Sequence, residues 1–213
     1  MNARKRIGIL ISGRGSNMAA LIEAAAAADF PAEIALVLSN RPNAAGLDFA
    51  RAADLPTDSI DHRDFLDDRG AHEAAIDARL QASGVEIVCL AGYLRWLTPF
   101  LVGRWAGNML NIHPSLLPSF PGLDTHRRAL EAGVVLHGCT VHLVTEKLDE
   151  GPILAQAAVP VFADDDEARL AARVLVQEHA IYPMALRHRI DGSGGRTKPD
   201  ASLYNLVERD ISL

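Results

Sequence analysis

Three short stretches of this 213-residue chain hold residue types able to do chemistry. The first is Ser12-Gly13-Arg14-Gly15-Ser16-Asn17, a glycine-rich turn between an apolar run and an alanine-rich segment. Free backbone N–H groups and the dipole of a helix starting there favour an anion such as one phosphate. The plainer reading is a tight turn that needs glycine only for its φ angles. It is no dinucleotide fingerprint, because Met18 stands where the third glycine would be, and no Gly-Lys-Ser/Thr makes it a Walker loop. The second stretch is Asn111-Ile112-His113-Pro114-Ser115 at the end of an apolar run. On a strand, residues two apart share a face, so Asn111 and His113 project together. An amide donor beside an imidazole can stabilise a developing oxyanion. Pro114, Pro118 and Pro121 stiffen the loop that follows, which suits a fixed wall better than a swinging lid.

The third stretch, Thr145-Glu146-Lys147-Leu148-Asp149-Glu150-Gly151-Pro152, is an acidic turn, and most such turns are merely solvated. Asp149 gains meaning only if it meets His113, since a carboxylate against an imidazole orients the ring and favours its cationic form. Spacing alone does not bring these two together. His113, His126, His137, His142 and Asp149 are also metal-ligand types, but no pair has the HExxH spacing, and no metal is expected. A Gly-x-Ser-x-Gly elbow for a serine hydrolase is missing too.

The elements that must position these stretches alternate between strand-length apolar runs and helix-length amphipathic segments, the pattern of βαβ units in a parallel sheet covered on both faces. Strands are predicted at Ile7–Ile11, Glu33–Leu38, Pro56–Ile60, Val85–Ala91 and Met109–Ile112. Helices are predicted at Asn17–Ala28, Ala44–Ala53 and Asp64–Ala82, with a helix or turn at Thr98–Trp105. Cys139–Val144 and Ile153–Val161 are strand-like with too little chain between them for a parallel crossover, so they should pair antiparallel. A last long helix should run from about Asp166 to Ile190, opened by a capping box of Asp164 and Glu167 and kinked or ended at Pro183. Residues 1–190 then form one domain, and the tail 191–213 has too weak a period to assign.

Composition narrows the function. With 49% hydrophobic and 23% charged residues the chain has material for a core, and at this length it needs no disulfide or structural metal. A net charge of −6 has the wrong sign for nucleic acid held by bulk electrostatics. Cys89 and Cys139 lie in apolar runs and read as buried structural thiols. No apolar stretch is long enough to span a membrane and residues 1–11 lack a signal-peptide pattern, so no membrane partner and a cytoplasmic location are expected.

Taken in order, Ile11-Ser12-Gly13-x-Gly15-Ser16-Asn17, Leu90-Ala91-Gly92-Tyr93-Leu94-Arg95, Asn111-Ile112-His113-Pro114-Ser115-Leu116-Leu117-Pro118, Pro121-Gly122 and Asp149-x-Gly151-Pro152 resemble the motifs of the folate-dependent phosphoribosylglycinamide formyltransferases, over Arg6 to Ile190. The resemblance implies the formyltransferase fold, a Rossmann-like α/β architecture with an open, mostly parallel sheet, helices on both faces and an antiparallel C-terminal strand pair. It also implies transfer of a formyl group from 10-formyltetrahydrofolate, as co-substrate, to the amine of glycinamide ribonucleotide in purine biosynthesis. It carries Asn111, His113 and Asp149 as the catalytic trio. Gly15, Ser16 and Asn17 would hold the ribonucleotide phosphate with Arg69, and Glu178 would lie near the ribose hydroxyls. Leu94, Arg95, Trp96 and Leu97 on one side, with Asn111 and the turn Thr145, Glu146, Lys147, Leu148 and Asp149 on the other, would hold the folate. Family members commonly carry Asn at Arg14 and an aliphatic residue at Trp96, so both positions depart from the pattern. A deformylase that hands the formyl group to water and methionyl-tRNA formyltransferase are related alternatives, both expected with an additional domain. A non-catalytic nucleotide-phosphate binding module is the alternative from another class. The oligomer is expected to be a monomer or homodimer.

Overall fold

In the computed structural model residues 3–192 are described, and a seven-stranded sheet runs through them in the order β3-β2-β1-β4-β5-β6-β7. β1 (Lys5–Ile11), β2 (Ala32–Ser39), β3 (Thr57–Ser59), β4 (Ile87–Leu90) and β5 (Met109–His113) pair in parallel, while β6 (Leu136–Leu143) and β7 (Ile153–Pro160) add antiparallel strands beyond β5. The alternation of segments predicted the parallel part, and the short connection between the last two strands their antiparallel pairing.

The period of two sorts each strand's apolar residues onto two cores. Ile7, Ile9 and Ile11 of β1, Val37 of β2, Ile87 and Cys89 of β4 and Leu110 and Ile112 of β5 face one layer, while Leu10, Leu36, Leu38, Val88, Leu90 and Met109 face the other. The first layer is covered by α1 (Ser16–Ala26), α2 (Ala45–Ala52), α5 (Thr125–Glu131) and α6 (Glu167–Ile190), through Met18, Leu21, Leu47, Ala129, Val174 and Tyr182 among others. The second is covered by α3 (Arg69–Ala82) and α4 (Pro99–Arg104), through Ile76, Leu80 and Leu101. Cys89 and Cys139 are free and buried, and burial raises the Cys89 thiol to about 12.

The structure corrects two expectations, rules out an end of the last helix at Pro183 and adds one element. Helix α3 does not begin near Asp64: a 3-10 turn at His62–Phe65 comes first, Leu66 turns to a φ of 51°, and Asp68 then caps the helix by accepting from Ala71 N–H. The cap of α6 is Asp166, whose carboxylate accepts from Arg169 N–H, and Asp164 pairs instead with the Arg169 guanidinium. Pro183 does not end α6, which continues to Ile190 because Ile181, Tyr182, Ala185 and Leu186 stay buried around it and Tyr182 Oη donates to the carbonyls of Leu90 and Leu110. Helix α5, which followed a proline-rich loop and was not expected, is a short element carried by the burial of Thr125 and Ala129. The tail's residues 193–213 lie outside the described part.

Candidate functional site

The parallel strands reverse their order of winding between β1 and β4, and ligands in such sheets bind outside the carboxyl ends of the strands at that point. The loops after β1 and β4 meet there, Ser12 N–H donating to the Gly92 carbonyl at 3.1 Å. Ser12, just past β1, accepts a hydrogen bond on Oγ from Leu94 N–H at 2.8 Å and donates to Asn40 Oδ1 at 2.6 Å, tying together the loops after β4, β1 and β2. Gly15 has a φ of 73° as the residue before α1, a left-handed conformation that glycine adopts without strain. A groove on one side of this loop is lined by Ser12, Gly13, Arg14, Arg41, His62 and Arg63, among others. Arg69 begins α3 and does not line that groove, whereas Arg14, Arg41 and Arg63, which the resemblance did not supply, do. On the other side Asn17 is buried and its Nδ2 donates to Glu178 Oε2 at 2.7 Å, so two residues predicted for the ribonucleotide touch each other. Glu178 sits within the buried stripe of α6, and burial raises its pKa above 4.5, with the Asn17 bond opposing. Asn17 Oδ1 is buried without a hydrogen-bond partner.

Beyond β5 the chemistry tightens. Asn111 stands opposite His142 of β6 in the antiparallel register, and His113 opposite Thr140. His113 is 6% exposed; its Nε2 lies 3.1 Å from the Phe120 carbonyl, which can only accept, so that nitrogen carries a proton. Nδ1 faces Asp149 Oδ2 at 3.5 Å. The same carboxylate accepts from Gly122 N–H at 2.8 Å and has Oδ1 3.7 Å from His142 Nε2, so Asp149 lies between two imidazoles. The turn that places it is a close fit. A Cβ on Gly151 would stand 1.7 Å from the Leu143 carbonyl oxygen, so only glycine lets the chain pass there.

Asp149, Asn111 and His142 form the floor of a pocket whose walls are Arg95, Trp96 and Leu97 on one side and Thr145, Glu146, Lys147 and Leu148 on the other. Its volume is about 120 Å³. That is well below the roughly 300–1,000 Å³ of a pocket that buries a drug-sized ligand, so it takes up only part of a larger ligand. Every residue predicted for the folate lines this pocket except Leu94, whose side chain is exposed and whose backbone N–H goes to Ser12. His142 was not among the predicted residues. A histidine inside a strand carries no signal of its own, and its meaning comes from the register that sets it against Asn111. Among the described residues, no group of three or more His, Cys, Asp or Glu side chains is placed to hold a metal ion, and no helix is long and apolar enough to cross a membrane.

Comparison with known proteins agrees with this geometry. Residues 5–186 match the formyl transferase family. The chain is 46% identical over 186 residues to the phosphoribosylglycinamide formyltransferase of Escherichia coli, covering 87% of each. It is 47% identical over 184 residues to the human trifunctional purine biosynthetic protein adenosine-3, of whose length it spans only 18%. The crystal structure of phosphoribosylglycinamide formyltransferase from Brucella melitensis superimposes with a TM-score of 0.84 at 55% identity, over 88% of this chain and 96% of that one. For glycinamide ribonucleotide transformylase 1 from Symbiobacterium toebii the TM-score is 0.87 at 46% identity, over 90% of each chain. With the family's match running from β1 into α6 and the site lying at the sheet's reversal point, this chain belongs to the formyl transferase family, among its phosphoribosylglycinamide formyltransferases.

Proposed function

We propose that this chain moves the formyl group of 10-formyltetrahydrofolate to the primary amine of glycinamide ribonucleotide by direct attack, with no covalent enzyme intermediate. The observation that carries this is that Asp149, which lines the pocket together with Asn111, meets the buried His113 at 3.5 Å. The pterin lies between Arg95, Trp96 and Leu97 and the 145–149 turn, with Arg95 and Lys147 supplying cations for the folate carboxylates. The ribonucleotide lies across Gly15, Ser16 and Asn17, its phosphate at the start of α1 and its ribose hydroxyls toward Glu178. Arg14 and Arg41 add positive charge to the same loop.

The amine nitrogen forms its bond to the formyl carbon, and the carbonyl electrons collect on oxygen. Asn111 donates Nδ2–H to that oxygen, and the His113 imidazolium donates Nδ1–H to it from beside Asp149, with its Nε2–H held by the Phe120 carbonyl. Asp149, directly or through water, takes the proton from the attacking nitrogen, and the folate nitrogen receives one as its bond to the formyl carbon breaks. The test is to mix the protein with 10-formyltetrahydrofolate, with and without glycinamide ribonucleotide, and follow the folate absorbance. Turnover only with the amine is expected. Equal turnover without it would make the chain a hydrolase, and none in either mixture would make it a binding module.

A further inference from the structure

We infer that His142 is a positioning residue that locks the Asn111 side-chain amide in the orientation that offers an N–H, and not the carbonyl oxygen, to the reacting formyl group. The inference rests on the proposed role of Asn111 and goes beyond it. An amide is nearly symmetric in shape, so packing alone does not choose which end faces the substrate; hydrogen-bond partners must. His142 is buried at 2% exposure, and its Nδ1 lies 2.9 Å from the Leu143 carbonyl, an acceptor, so the proton of the neutral ring sits on Nδ1. Nε2 then carries a lone pair and faces Asn111 Nδ2 at 3.2 Å. A flipped amide would set Oδ1 against that lone pair, leaving two acceptors facing each other across a part-buried contact and turning a carbonyl toward the developing oxyanion. One N–H of Asn111 goes to His142 and the second remains for substrate.

The lock works only while Nε2 is unprotonated. Burial pulls the His142 pKa below 6.5, while the Leu143 carbonyl and Asp149 push it up and His113 pushes it down. Tyr93, Arg95, Glu146 and Lys147 line the same pocket and complete the charged or titratable groups around it. When Nε2 gains a proton it becomes a donor toward Asp149 Oδ1, 3.7 Å away, or Asn111 Oδ1, and in either case it no longer accepts from Asn111 Nδ2, so the amide orientation is no longer held.

The experiment compares kcat, KM and the pH profile of kcat for formyl transfer in the wild type, His142→Ala, His142→Gln, Asn111→Ala and the double variant His142→Ala with Asn111→Ala. Loss of the lock should lower kcat of His142→Ala by up to about 100-fold with little change in either KM, the scale of a misplaced catalytic group. The double variant should be no slower than Asn111→Ala, because the two act as one unit. His142→Gln, whose Oε1 can accept and does not titrate, should recover most of the rate and lose the part of the acid limb that His142 causes, leaving any part due to His113 and Asp149. Wild-type kcat in His142→Ala beside a slow Asn111→Ala, or strictly additive losses in the double variant, would overturn the positioning role. Wild-type kcat in Asn111→Ala would instead overturn the role of Asn111 itself. Independently of activity and of whether His142→Ala folds, imidazole ¹⁵N shifts of the folded wild type at pH 7.5 should show His142 as the neutral Nδ1–H tautomer. The Nε2–H tautomer would contradict the lock.

Discussion

Asp149 occupies the left-handed region with a φ of 54°, a conformation that costs most residues about 1–3 kcal/mol and that Asp and Asn tolerate best. That tolerance makes Asp149→Asn a clean probe, since it keeps the backbone and the shape and removes only the charge. It should fold like the wild type and lower turnover by about 100- to 1,000-fold, the loss typical of one transition-state group; a kcat within a few-fold of wild type, measured at saturating substrates, would rule out its proton-transfer role. Trp96 offers a second test. It is 65% exposed on the pocket wall, whereas Trp105, the other tryptophan, is buried with its indole N–H on Asp77. A folate analogue entering the pocket should quench the emission of Trp96, and Trp96→Leu should abolish that change; quenching that survives the substitution would place the folate elsewhere. The residues of the trio were legible as types at strand ends and in a turn. Their meeting was not, because Asp149 reaches His113 through a hairpin geometry that spacing does not encode. His142 was legible only as a metal-ligand type, since a lone histidine on a strand acquires its partner from register.

The turn between β6 and β7 positions Asp149, and Gly151 is the residue that lets it close. Gly151→Ala should destabilise the protein by about 1–3 kcal/mol, the usual cost of forcing an extra carbon into packed surroundings, and should lower turnover by shifting Asp149. Urea unfolding and steady-state kinetics measure both; wild-type values for each would mean that the turn is looser than its 1.7 Å approach implies. The strands and their two faces were readable because a period of two and runs of Ile, Val and Leu report burial directly. Helix ends were less so. Asp166 and Asp164 stand one and three residues before the first residue of α6, and only the backbone decides which caps it. Pro183 would cost an exposed helix about 3 kcal/mol, yet α6 continues through it because the buried residues on either side and the Tyr182 anchor outweigh one lost N–H. Residues 114–124, rich in proline, gave no period from which to expect α5.

The net charge of −6 disfavours binding anions by long-range attraction, and under the proposed function Arg14 and Arg41 beside the Gly13–Gly15 loop and Arg95 and Lys147 around the pocket answer this locally, while Arg63 on the same groove is paired with Asp61. Burial has a further consequence spread over the fold. His72, His126, His137, His142 and His179 are all held below the ordinary histidine value by burial, His137 to about 4 with His126 adding to the effect. An unfolded chain would take up protons on these rings near pH 6.5, while the folded one resists until lower pH, so stability is full above about 6.5 and is lost as pH falls through the window from 6.5 to about 4. Glu178, raised by burial, acts in the opposite sense above pH 4.5. The urea midpoint should therefore drop between pH 7 and pH 5, and His137→Gln should lessen the drop; a midpoint independent of pH over that range would show that the rings titrate normally. The most direct measurement of the proposed chemistry follows the transferred atom itself. With 10-[¹³C]formyltetrahydrofolate, glycinamide ribonucleotide and the protein, the label should appear in the formamide carbon of the ribonucleotide product, and label recovered as formate with the ribonucleotide amine unchanged would contradict it.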